Sequence, residues 1–157
     1  MDKVSRGPLR SGSLEFRSKL IEGSGALIFA KETGRYLFLK RSFGSYPMTW
    51  CLPGGKLDNN ERMDEGLFRE IREELGGTID DAELVLLERF VSANKRFVYH
   101  TYFIGVDLEF IPLLNDEHVG YAWLPIEFAP KPLHPGLIRT FQCEAVIKKI
   151  KLAESSV

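Results

Sequence analysis

The segment WCLPGGKLDNNERMDEGLFREIREELGG, residues 50–77, decides how the rest of the chain is read. Pro53-Gly54-Gly55 forces a turn after a short apolar strand at 49–52, and Gly76-Gly77 is a stop signal for a helix. The residues between, 61–75, read as that helix. Met63, Leu67, Ile71 and Leu75 recur every fourth residue and Phe68 widens the stripe, so this face is expected to bury. Glu70 and Glu74 stand four apart, and Glu73 joins them three beyond Glu70. At about 100° per residue, Glu74 falls inside the edge of the apolar stripe, Glu70 borders it and Glu73 lies further round. Carboxylates so placed repel one another, and near an apolar edge each loses water. A divalent cation removes the conflict: clustered hard oxygens suit Mg2+ or Mn2+, which also bind phosphate oxygens. Gly54 and Gly55 let a backbone carbonyl approach as a further ligand. Gly66, unfavourable inside a helix, is expected to leave room for a ligand on the carboxylate side. The competing reading is a solvated charged helix with Arg69 paired to Glu65 and Glu73.

Working outward, residues 26–30 and 35–41 read as a hairpin around Glu32-Thr33-Gly34. Downstream, 84–91 and 96–108 read as strands joined by a polar turn, with Phe97, Tyr99, Tyr102 and Phe103 in the second. Another short strand covers 119–124. After a Pro-rich connector, Pro135 opens a final helix whose apolar face is Leu137, Ile138, Phe141, Ala145 and Ile150. Strands, helix, strands, helix imply a mixed α/β class with helices packed on a mixed sheet. Residues 1–20 read as a loose arm, with an edge strand expected at 13–19, and 21–157 as one domain.

The chain has 157 residues, enough for a real core. Its net charge of −1 gives no global attraction to nucleic acid or an anionic membrane. Sequence-specific nucleic-acid binding is therefore disfavoured, as is a membrane partner: no apolar run approaches the ~20 residues that span a bilayer. Two cysteines, Cys51 and Cys143, make no disulfide framework. They read as ordinary buried thiols with no histidine placed to activate either, and the expected setting is cytoplasmic.

The full pattern resembles the signature of the Nudix hydrolase family: Gly55, Glu61, Arg69-Glu70-Ile71, Glu73-Glu74 and Gly76 stand at the spacing of that box. Gly77 departs from it, since an aliphatic residue is usual there; Thr78-Ile79 is expected to supply the missing apolar contact. A chance match of the other positions is on the order of one in a million. The resemblance extends to Leu39-Lys40-Arg41 and Trp50 to Gly55 upstream, and to Asp116-Glu117-His118 downstream. It implies an α-β-α sandwich, a mixed sheet between helices, and Mg2+-dependent hydrolysis (Mn2+ as an alternative ion) of a pyrophosphate bond in a nucleoside diphosphate derivative. The implied partner is a small-molecule nucleotide, and homodimers are common in the family.

By position in the box, Glu73 and Glu74 resemble metal ligands, with the Gly54 or Gly55 carbonyl as another. Glu70 resembles a further ligand or the group that orients or deprotonates water. Arg69 resembles the residue that fixes the carboxylates, and Glu61 one that ties the turn to the helix. Several family members carry a metal- or water-binding glutamate in the region of Glu117, while His118 reads as a strand-start residue. Lys40 or Arg41 is a candidate phosphate holder. Phe43 and Tyr102, with Tyr46 and Trp50, are candidates to stack on a base. The default substrate is a (d)NTP. A proline missing from Ser92, Ala93 and Asn94 disfavours ADP-ribose, and a tyrosine missing from Ala93, Asn94 and Lys95 disfavours diadenosine polyphosphates. Nucleotide-sugar or dinucleoside polyphosphate hydrolysis, and a non-catalytic nucleotide-binding module, are the alternatives.

Overall fold

In a computed structural model, which describes residues 19–77 and 79–157, the centre of the molecule is a strand buried on both sides. This is β1 (Ile21–Ala30), whose residues from Gly23 onward are buried. Ala26, Ile28 and Ala30 face one layer while Leu27 and Phe29 face the other, as the period of two in a strand requires. β1 runs parallel to β6 (Phe97–Val106) over its whole length and antiparallel to β2 (Arg35–Arg41) and β4 (Gly54–Lys56). The sheet order is β3 (Trp50–Cys51), β2, β1, β6, β5 (Val85–Val91), with β4 added on β1 and β7 (His118–Leu124) on β2.

A parallel pair needs a crossover, and α1 (Met63–Leu75) lies within it. Leu67, Ile71 and Leu75 are fully buried against Ile28, Leu37, Leu39 and Ile104, each contributing ~1.5–3 kcal/mol of burial. On the opposite face, Leu27, Phe29, Phe38 and Phe103 pack against α2 (Pro135–Gln142) and α3 (Glu144–Ser156) through Leu137, Val146 and Ile150. The chain is thus α/β, a mixed sheet between helical layers.

Several boundaries differ from the sequence reading. The helix starts at Met63 rather than residue 61, because Arg62 is extended and Glu65 accepts its backbone N–H at 3.2 Å. The single final helix is two: Cys143 is extended, and its N–H bonds Thr140 O instead of continuing the α ladder. The break lets Leu137 and Ile150 bury in one layer while Ile138 is left exposed. The Gly-Gly turn is itself a strand, β4. The arm, with the strand expected at 13–19, lies almost wholly outside the described residues, and so does Thr78. Ile79 is buried in the α1 layer. Gly76 and Gly77 both have positive φ, +84° and +69°, so an aliphatic residue at 77 would be strained.

Candidate active site

Arg69 organises one flank of α1. Its Nε and Nη2 donate to Glu61 Oε2 and Oε1 at 2.7 and 3.0 Å, a bidentate pair. Nη2 also donates to Lys56 O at 3.0 Å, and Nη1 to Glu70 at 3.1 Å and to both Glu73 oxygens at 3.3 Å. Glu61 accepts the Asp58 N–H as well, which joins the loop after β4 to the helix. Hydrogen bonds from Arg69 and then Asp58 hold the Glu61 carboxyl down at about 2. Gly66 serves this joint: a Cβ there would lie 2.4 Å from Leu57 Cδ2 and 2.8 Å from Glu61 Oε1. This corrects the sequence reading, in which Gly66 cleared space for a ligand; it clears space for the loop.

The other flank has no such balance. Glu74 is 3% exposed and accepts the Gly54 N–H at 2.9 Å. Burial first, then the charges of Glu70, Glu117 and Glu73, push its carboxyl up to about 9 despite that hydrogen bond. Burial also raises Glu70, against the pull of Arg69. Among the described residues no Lys or Arg pairs with Glu74 or Glu117. The strand–turn–helix path brings backbone and carboxylates together: Gly54 has φ +146°, and a Cβ on Gly55 would sit 2.5 Å from the Glu70 carboxyl carbon. One oxygen each of Glu74 and Glu117 and one ring nitrogen of His118 lie within 4.8 Å of one another. Hard oxygen donors without a cation, one of them deeply buried, fit a divalent metal ion.

These groups open on a cavity of about 660 Å³, within the range of small-ligand sites. Glu70, Glu74 and Glu117 stand in its wall with Gly54 and Gly55. Phe90, Phe97 and Tyr99 line it from the sheet, and Leu137, Arg139 and Thr140 from α2. The Arg139 guanidinium carbon lies 3.9 Å from the Phe90 ring centre. Arg41 and His118 also line the cavity. Both Arg41 Nε and His118 Nδ1 are buried without a hydrogen-bond partner.

The structure therefore brings Glu70, Glu74, Glu117, Gly54, Gly55, Arg41 and Phe43 to one cavity. It leaves Glu73 half out, 53% exposed and held by Arg69. Lys40 and Tyr102 are not in the cavity wall. Lys40 points across the sheet edge to Trp50, 5.7 Å from its ring. Tyr102 packs on the α1 side of β6, because strand parity gives the cavity to Tyr99 and Thr101 instead. Trp50 packs in the α2/α3 layer, and Tyr46 lies edge-on to His134 at 5.0 Å.

Sequence reasoning also missed a contact. His118 Nε2 lies 3.7 Å from Cys51 Sγ, a neighbour that the sequence, which places no histidine to activate that thiol, did not reveal. β2 brings them together: Leu39 pairs with Cys51 on one side and Arg41 with His118 on the other. Burial, with Glu74 adding to it, pushes the Cys51 thiol up to about 12. Burial and then Arg41 push His118 down to about 4, so its ring is neutral.

A model of the NUDIX domain matches residues 20–142. Nucleoside triphosphatase NudI of Salmonella arizonae is 30% identical over 127 residues, covering 73% of this chain and 90% of that protein. NudI of Escherichia coli O139:H28 is 32% identical over 106 residues, 60% of this chain and 75% of that protein. Among solved structures, a MutT NUDIX hydrolase from Burkholderia pseudomallei superposes with a TM-score of 0.63 at 28% identity, covering 82% of this chain and 96% of that one. The NUDIX domain of Shewanella oneidensis NrtR, complexed with ADP ribose, superposes at 0.68 with 17% identity, a likeness of fold, over 86% of this chain and 90% of that one.

Proposed function

The chain belongs to the Nudix hydrolase family and is a nucleotide pyrophosphohydrolase; from that premise we propose that it cleaves a phosphoanhydride bond of a nucleoside triphosphate, or of a deoxy counterpart, with Mg2+ or Mn2+. The observation that carries this reading is the buried Glu74 carboxylate, facing Glu70 and Glu117 with no Lys or Arg among the described residues paired to it. Glu70, Glu74 and Glu117 would hold the metal with a Gly54 or Gly55 carbonyl. Glu73 would join them by leaving Arg69 Nη1, whose 3.3 Å contacts are long for a charge-assisted bond. When bound, the metal neutralises the charge that builds on the phosphates and supplies an activated water.

The protein's own work is positioning. Arg69 and Glu61 clamp the loop to the helix so that the carboxylates converge. Glu70, beside the cavity with its carboxyl raised, orients water or takes its proton. Arg41, its Nε without a partner, reaches a phosphate oxygen. Phe90, Phe97 and Tyr99 give the nucleoside an aromatic wall, and the triphosphatase name carried by the NudI relatives supports a triphosphate. Among the described residues no helix is long and apolar enough to cross a membrane, and both cysteines are free.

The test is a panel of (d)NTPs, dinucleoside polyphosphates, nucleotide sugars and ADP-ribose with Mg2+ or Mn2+, scored by phosphate release with and without added pyrophosphatase. Release from triphosphates that requires the metal is the expected result. No turnover of any member with either ion would overturn the reading.

A further inference from the structure

A further acidic side chain, Glu88 of β5, lines the same cavity as Glu70, Glu74 and Glu117. The sheet register says where it stands. Glu88 pairs with Thr101 on β6, Thr101 with Gly25 on β1, and Gly25 with Gly54 on β4, whose N–H holds Glu74. Glu88 and Gly54 are thus the two ends of one rung across the sheet, with β6 and β1 between them, about 14 Å apart at the usual strand spacing. A nucleoside with its first phosphates spans such a distance. With the phosphates at the metal carboxylates, the base comes to rest at Glu88. The next rung pairs Phe90 with Tyr99, both in the cavity wall, and the Arg139 guanidinium covers Phe90 from α2.

Glu88 is an acceptor short of donors. Its Oε1 lies 3.0 Å from the hydroxyl of the buried Thr140, and the same hydroxyl lies 3.1 Å from Gly136 O. A threonine hydroxyl has one proton, so the carboxylate receives at most a shared hydrogen bond from it. Among the described residues no Lys or Arg forms an ion pair with Glu88. An ionised carboxylate offers about four acceptor sites, and here the cavity is where the remaining ones can be filled. Among the common bases only guanine sets two N–H donors side by side, N1–H and the N2 amino group. Adenine and cytosine put a ring-nitrogen lone pair beside their amino group, and uracil and thymine flank N3–H with two carbonyls. Each of those edges turns lone pairs toward a carboxylate, and a site built on hydrogen bonds rejects partners that cannot make them.

We propose that the cavity selects guanine nucleotides, with the Glu88 carboxylate accepting the N1–H and N2 amino protons of the base. Thr140 positions the carboxylate, and both sit on regular elements, β5 and α2, which hold a site more tightly than loops do. Phe90 and Tyr99 flank the ring of the base. This selection rests on the nucleotide reading of the cavity but does not depend on turnover. Glu88 decides which nucleotide is held, and the carboxylates at the other end of the rung decide what is done to it.

The probes are the monophosphates GMP, IMP, AMP, CMP and UMP, which have no phosphoanhydride bond to cleave. Their binding to the full chain with Mg2+ is measured by calorimetry. GMP should bind about tenfold more tightly than IMP, which keeps N1–H but lacks the amino group. AMP, CMP and UMP should bind more weakly still. Glu88→Gln keeps an acceptor for Thr140 but turns an amino group toward the base. It should weaken GMP by about tenfold or more and leave UMP within about twofold, a split that a purely structural tie between β5 and α2 would not produce. Thermal melting checks that the variant folds, and the GMP-to-IMP ratio of the wild-type protein decides the matter if it does not. Equal binding of GMP, IMP and UMP, binding of none of them, or an equal loss for GMP and UMP in Glu88→Gln overturns the selection. Triphosphate turnover alongside any of those results sinks the selection alone, whereas guanine-selective binding without turnover of any triphosphate sinks only the hydrolytic reading.

Discussion

The two flanks of α1 carry the same kind of side chain and treat it in opposite ways. On one, Glu61 is gripped by both arms of the Arg69 guanidinium, and its carboxyl is held down at about 2. On the other, Glu74 is buried with one backbone N–H and three acidic neighbours, and its carboxyl rises to about 9. A carboxylate whose charge is answered within the fold is a structural part. One left without a Lys or Arg partner among the described residues, at the wall of a cavity, is the kind of group a functional site uses, here the proposed metal site.

The sharpest way to break this contrast is Glu74→Gln. The variant should fold yet lose turnover by about 10² or more, because it removes one charge from the metal site; steady-state kinetics with a melting curve as control decide it. Next comes Arg69→Met, which strips Glu61 and Lys56 O of their donor on a partly exposed flank. A stability loss of about 1–3 kcal/mol is expected from urea unfolding, with metal affinity reduced less than in Glu74→Gln. If Arg69→Met left stability unchanged, the balanced flank would not be structural.

The two flanks should also answer pH in opposite directions. Glu74 is raised above the unfolded value of 4.5, so in metal-free protein its unfavourable ionisation is absent below pH 4.5 and grows as pH rises toward about 9. Metal-free Glu74→Gln should match wild type near pH 4 and exceed it by about 1–3 kcal/mol at pH 8. Glu61 is depressed, so its stabilisation is present above pH 4.5 and lost as pH falls through about 2. Denaturant melts across this range separate the two. The smallest effect is expected of Gly66→Ala: the gain in helix propensity is outweighed by the clash with Leu57 and Glu61, a net loss of about 1 kcal/mol by thermal melting. A gain instead would restore the reading of Gly66 as open space.

Much of the helix was legible because its information is local. The apolar stripe and the turn glycines fix which carboxylates face inward, and the ranking of Glu74, Glu70 and Glu73 by depth matches their burial. What was not legible depends on pairing between distant strands. The Cys51–His118 contact exists because β2 separates β3 from β7 at one particular register, with a shift between Lys40 and Arg41. No spacing within either segment encodes that. Tyr99 and Tyr102 illustrate the same limit: both are aromatic residues of β6, and which of them meets the cavity depends on which face α1 covers. The break at Cys143 was hidden too, since an apolar periodicity runs across it without revealing that two axes share it.

The parallel union of β1 with β6 has a consequence in time. Its partners are far apart along the chain, and the carboxylate-bearing segment lies inside the loop that their union closes. Closing such a loop costs entropy before any contact compensates for it, which makes long-range pairing slow. The central seam is therefore expected to zip late during folding, with the acidic residues drawn to their mutual distances only as it does. Until then the polypeptide carries helix-forming sequence and repelling charges but no place to receive a cation.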